Sequence, residues 1–129
     1  MGPEFVKELS NLPVAMRKQM MKGRLDQLVA LPEEGRQEAI RGLVVGFLDP
    51  KISEGVREEL ITTRTEIIGE LSEDRRRTFM MSVMQALKDD PDSAKADRGA
   101  VEKVLPKVPS EARTAFMETM KGLSGPPQG

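Results

Sequence analysis

The chain contains no cysteine, no histidine, no tryptophan and no tyrosine, and only four phenylalanines in 129 residues. Without cysteine there can be no disulfide, thiol nucleophile or thiolate metal site, which fits a reducing, intracellular setting. Without histidine the most common general base and the most common metal ligand are both missing. No apolar run approaches the roughly 20 residues that span a bilayer. The opening MGPEFVKELS lacks the basic start and apolar centre of a signal peptide. Lysine and arginine total 20 against 21 acids, a net charge of −1, so no overall field points to nucleic acid or an anionic membrane. β-branched alternation is nearly absent too.

What is present is helical periodicity. Apolar residues recur at spacings of three and four, in a chain long enough to bury one core. Helices are expected over roughly 3–10, 13–30, 33–48, 52–71, 73–88, 98–105 and 110–123. They are broken at Pro13, Pro32, Pro50, Ser72, Pro106 and Pro109. The segment 89–97, DDPDSAKAD, reads as a flexible loop. Residues 1–4 read as a cloning remnant, 5–123 as one helical domain, and 124–129 as a linker.

Four helix starts share a pattern. Aligned on Pro13, Pro32, Ser72 and Pro109, each is preceded by Leu12, Leu31, Leu71 or Val108. Arginine follows at position 4: Arg17, Arg36, Arg76 and Arg113. Positions 7 and 8 hold Met20/Met21, Ala39/Ile40, Phe79/Met80 and Phe116/Met117, and position 10 holds Gly23, Gly42, Ser82 or Thr119. The later intervals, 40 and 37 residues, are the length of a helix pair. The expectation is an all-α fold of six or seven short helices stacked as helical hairpins. This rhythm resembles that of short-helix superhelices such as HEAT-type arrays and the cytosolic N-terminal domain of magnesium channels. The resemblance covers only the leucine–proline–acid–arginine helix starts, and no function is carried across it.

The arginine column demands an explanation, because a cation in the first turn opposes the helix dipole. One reading is structural: the stem packs on the core while the guanidinium caps the preceding helix or pairs with an acid. The other is a row of arginines gripping an anionic ligand, nucleic acid or a phospholipid headgroup.

The second conspicuous feature is methionine, nine in all. In FMMSVMQAL, residues 79–87, Phe79, Met80, Val83, Met84 and Leu87 fall within about 140° of one helix face, the pattern of core. Met81 falls off that stripe. Helix 13–30 begins with a basic amphipathic run, MRKQMMKGR, and Arg24 stands where its siblings hold Leu43, Val83 and Met120. The candidate partner-binding residues are therefore Met16, Arg17, Met20, Met21, Arg24 and Met81. They would form an apolar surface accepting a helix or peptide of a protein partner.

Other motifs dissolve on inspection. The acids of 89–97 do not match a calcium loop: counted from Asp90, its fifth, sixth and twelfth positions are Ala94, Lys95 and Val101. Arg75–Arg77 follow Glu73 and Asp74 and have no interleaved aromatics for base stacking. Gly42 and Gly46 suit close helix packing. No catalytic constellation, metal set or cofactor motif is found. The expectation is a non-catalytic interaction or scaffold domain.

Overall fold

A computed structural model describes residues 2–124, with side chains for 4–123. Met1 and most of the expected linker lie outside the described residues. Seven α-helices account for nearly all of the rest: α1 Gly2–Ser10, α2 Val14–Ala30, α3 Glu33–Phe47, α4 Glu54–Glu70, α5 Glu73–Ala86, α6 Pro91–Val104 and α7 Ser110–Ser124. A short 3₁₀ turn, Leu105–Lys107, joins α6 to α7. Among the described residues there is no strand.

The largest departure from expectation is α6. The segment 89–97 is not a flexible loop but a helix start. Asp90 accepts a hydrogen bond from the Ser93 backbone N–H, and Pro91 occupies the first turn, where its missing N–H costs nothing. Asp97, seven residues on, is buried. Acids that looked like loop composition are a cap and a core-facing carboxylate.

A fifth unit of the arginine pattern also lies between the second and third. Ile52 precedes Ser53, Arg57 sits at position 4, Leu60 and Ile61 at 7 and 8, and Thr63 at 10. With Asp90 as the start of α6, the caps fall at 13, 32, 53, 72, 90 and 109, so the intervals are 19, 21, 19, 18 and 19 residues. The repeating element is one helix and its joint, not a helix pair. Two-residue joints, Leu31-Pro32 and Leu71-Ser72, are enough because both residues adopt extended backbone and turn the chain sharply.

Helices pack mostly on the one two places away, except that α4 and α7 pack chiefly on each other. α1 lies on α3, α3 on α5 and α5 on α7, while α2 lies on α4 and α4 on α6. The odd and even rows meet most closely where α4 approaches α7. Gly69 of α4 is buried there, and a Cβ on it would overlap the backbone carbonyl of Ala112 in α7. The core is continuous from Phe5, Val6 and Leu9 through Met21, Ile40, Phe47, Leu60 and Phe79 to Val104 and Phe116. Burying each large side chain contributes about 1.5–3 kcal/mol, which holds short helices that would be marginal alone.

Candidate functional site

The arginine column resolves into one repeated contact. A helix ends with carbonyls that have no partner in the chain direction. Four arginines reach back to the carbonyl of the apolar residue before their own cap: Arg17 to Leu12 at 3.1 Å, Arg36 to Leu31 at 2.9 Å, Arg57 to Ile52 at 3.0 Å and Arg76 to Leu71 at 2.7 Å. Further bonds run to the end of the preceding helix. Arg17 also reaches Leu9 and Ser10, Arg57 reaches Phe47 and Asp49, and Arg76 reaches Gly69. Arg113 meets only the Pro106 carbonyl, at 3.4 Å. The first-turn cation, awkward for its own dipole, sits at the negative end of the previous helix, which offsets the conflict.

The odd row adds a second contact. Arg36 Nε donates to Ser82 Oγ at 2.8 Å and Arg76 Nε to Thr119 Oγ1 at 2.7 Å, each linking position 4 of one helix to position 10 of the helix two later. The even row uses charge instead. Lys18, at position 5 of α2, pairs with Glu66 and Glu70, positions 13 and 17 of α4. Glu58, at position 5 of α4, pairs with Lys103 and Lys107, the same two positions of the next unit with the signs exchanged. Hydrogen bonds from Lys107 and Lys103 hold the Glu58 carboxyl below its ordinary value. Burial opposes ionisation of Lys18, yet its bonds to Glu66 and Glu70 carry its pKa above the usual value.

These contacts define two sides of every helix. Positions 4, 8, 12 and 15 look toward the helix two later. Positions 3, 7 and 10, at 100° per residue, form a second stripe, whose position 10 in α5 and α7 bonds to the helix two earlier. At position 3, Ala112 of α7 meets α4 instead, and Gly35 of α3 and Arg75 of α5 are exposed. In α4 the stripe is Val56, Leu60 and Thr63, and in α7 it is Ala112, Phe116 and Thr119; all are at least partly covered. At position 7 the exposures are 0% for Leu60, 1% for Phe79 and 5% for Phe116. In α2 the stripe is Met16, Met20 and Gly23, and it is open: Met16 is 52% and Met20 46% exposed. A Cβ on Gly23 would meet nothing within 4 Å.

The sequence-derived candidates therefore separate. Met16 and Met20 share the open stripe. Met21, one residue further, is fully buried against the core and cannot belong to a surface. Arg17 is buried, with its guanidinium engaged by three carbonyls and Glu59. Arg24 lies over the Phe5 ring at 4.6 Å. Met81 is exposed on α5, a different helix. Met84, assigned to the core stripe, is exposed as well, because α5 is covered mainly at Phe79, Met80 and Leu87.

Two features gave no sequence signal. Arg64 of α4 is buried, bonded to Asp97 at 2.9 Å and stacked 5.0 Å from the Phe47 ring, with Nε and Nη1 lacking acceptors. Only the placement of α6 could have found it. A cleft of roughly 370 Å³ lies between α4 and α6, floored by Leu48, Ile61, Ala100 and Val104. Its charges are already engaged: Glu54 and Glu58 pair with Lys103, and Arg57 bonds main-chain carbonyls. Among the described residues no acidic cluster is placed to hold a metal ion, and no helix is long and apolar enough to cross a membrane. Comparison with known proteins finds no matching family model, no similar curated protein and no similar solved structure.

Proposed function

We propose that this chain is a helical-repeat interaction module, non-catalytic, whose docking face for a partner helix is the outer stripe of α2. One observation carries the reading: Met16, Met20 and Gly23 occupy positions that are covered in α4 and α7, yet no described helix lies on them. Methionine suits such a face, since its flexible thioether chain adapts to different partner shapes. Engagement of Arg17, Arg36, Arg57 and Arg76 with main-chain carbonyls weighs against an anion-gripping row.

The test is a titration of ε-¹³C-methyl methionine-labelled protein with amphipathic helical peptides of varied charge. The expected result is a saturable shift of the Met16 and Met20 methyls while Met117 stays still. Equal shifts at every exposed methionine, or none, would defeat the reading.

A further inference from the structure

The repeat also specifies what the occupant of the α2 stripe looks like; this step rests on the docking reading above. A second copy of the chain is a poor fit. The faces that would continue the rows carry Met117 and Lys121 on α7 and Arg98 and Glu102 on α6, where internal helices hold pairs such as Ile40 and Val44. Three of these four positions are charged and Met117 stands alone among them, so the far end offers no apolar stripe and the occupant is a helix of another protein.

Its chemistry follows from the pair inside the fold that most resembles the vacant place. Position 10 is glycine in α2 and α3 alike, Gly23 and Gly42. The helix laid against α3 is α1, a short amphipathic helix that buries Phe5, Val6 and Leu9 and leaves Glu4 and Glu8 exposed at its edges. Glycine at position 10 lets such a helix approach there, because no side chain holds it off. The setting of α2 then selects for charge. Lys22 stands exposed beside the stripe and has no ion-pair partner among the described residues. The single acid of α2, Asp26, is taken up by Arg75.

We infer that the α2 stripe binds a short acidic amphipathic helix with apolar residues at i, i+1 and i+4 and carboxylates along its edges. The apolar trio would cover Met16, Met20 and Gly23, and a carboxylate edge would face Lys22. This is helix-in-groove recognition, with apolar anchors giving affinity and charge giving choice of partner.

The experiment uses two lactam-bridged peptides built on residues 2–12 of this chain. The acidic peptide carries Lys7→Glu; the basic one carries Glu4→Lys and Glu8→Lys with the same apolar positions. Each is titrated into the full chain, read by the Met16 and Met20 methyl signals, and repeated on Met20→Glu. That variant keeps its fold because the residue is exposed, which its melting curve verifies. The expected result is saturable binding of the acidic peptide, at least tenfold weaker binding of the basic one, and loss of the signal in Met20→Glu. Equal binding of the two peptides overturns the inference while leaving the docking face standing. Silence of both overturns the docking face and the inference together. Binding that survives Met20→Glu, as exchange of the peptide with α1 on α3 would give, overturns it too. So does a stronger response of the same methyls to phosphatidylglycerol vesicles than to the acidic peptide.

Discussion

Arg76 of α5 and Thr119 of α7, 43 residues apart in sequence, are joined by a 2.7 Å hydrogen bond that repeats the one between Arg36 and Ser82. The same guanidinium holds the Leu71 carbonyl, so one side chain ties a helix joint to the helix two places on. Lysine offers charge but only a single centre of donors, without the planar fork. Arg76→Lys is therefore expected to lose about 1–3 kcal/mol, the cost of leaving buried groups unpartnered. Urea denaturation measures it. A wild-type midpoint in Arg76→Lys and Arg36→Lys would return the column to the list of ligand sites.

Gly69→Ala should destabilise the chain by about 1–3 kcal/mol, the usual range for overpacking. The added methyl meets the Ala112 main chain rather than a flexible side chain, so relief requires α4 and α7 to separate. Gly23→Ala, with open space around it, serves as the control and should gain slightly in helix propensity. Thermal melts of the two variants moving together would refute the close approach.

Asp97→Ala removes the single carboxylate bonded to the buried Arg64 guanidinium. Breaking a buried pair from one side costs about 3–5 kcal/mol, because an uncompensated charge remains. Replacing both, Arg64→Met with Asp97→Ala, should recover most of that loss. A double variant no more stable than Asp97→Ala would mean that the carboxylate acts by capping or packing alone.

Acid should weaken the even row and the start of α6 together. Hydrogen bonds from Lys107 and Lys103 lower the Glu58 pKa, and bonds from Ser93 lower that of Asp90. Carboxyls whose folded pKa lies below the unfolded value contribute stability that is complete above the unfolded pKa and is lost as pH falls through the folded one. Stability measured by urea melts should therefore be flat through neutrality and decline below the ordinary carboxylate range. Glu58→Gln should flatten part of that decline, and an unchanged acid limb in this variant would count against the bridge.

The helices, their arginines and four of the joints were legible in the sequence because each rests on local spacing. The fifth unit was obscured by Pro50, which drew attention to a break three residues before the true cap at Ser53. The first half of α6 was hidden by its own capping chemistry, since Asp90 and Pro91 read equally as turn residues, and the helix expected over 98–105 was only its second half. The difference between Met20 and Met21 was out of reach for another reason. Both lie on the same apolar arc, and what separates them is that Met21 turns into the core while Met20 faces outward. That is a property of row order, visible only once helices are known to pack two apart.

The alternating signs along the even row carry a consequence for how the chain finds its fold. The units are cut to nearly the same length, 18–21 residues, so a folding intermediate could stack one helix in another's place. Were α6 to settle on α2, Lys18 would face Lys103 and Lys107 instead of Glu66 and Glu70. Like charges at those sites repel, and the misordered stack loses the bridges as well. The bridges thus act as a proofreading code for stacking order, and reversing all of one set should slow refolding more than it lowers final stability.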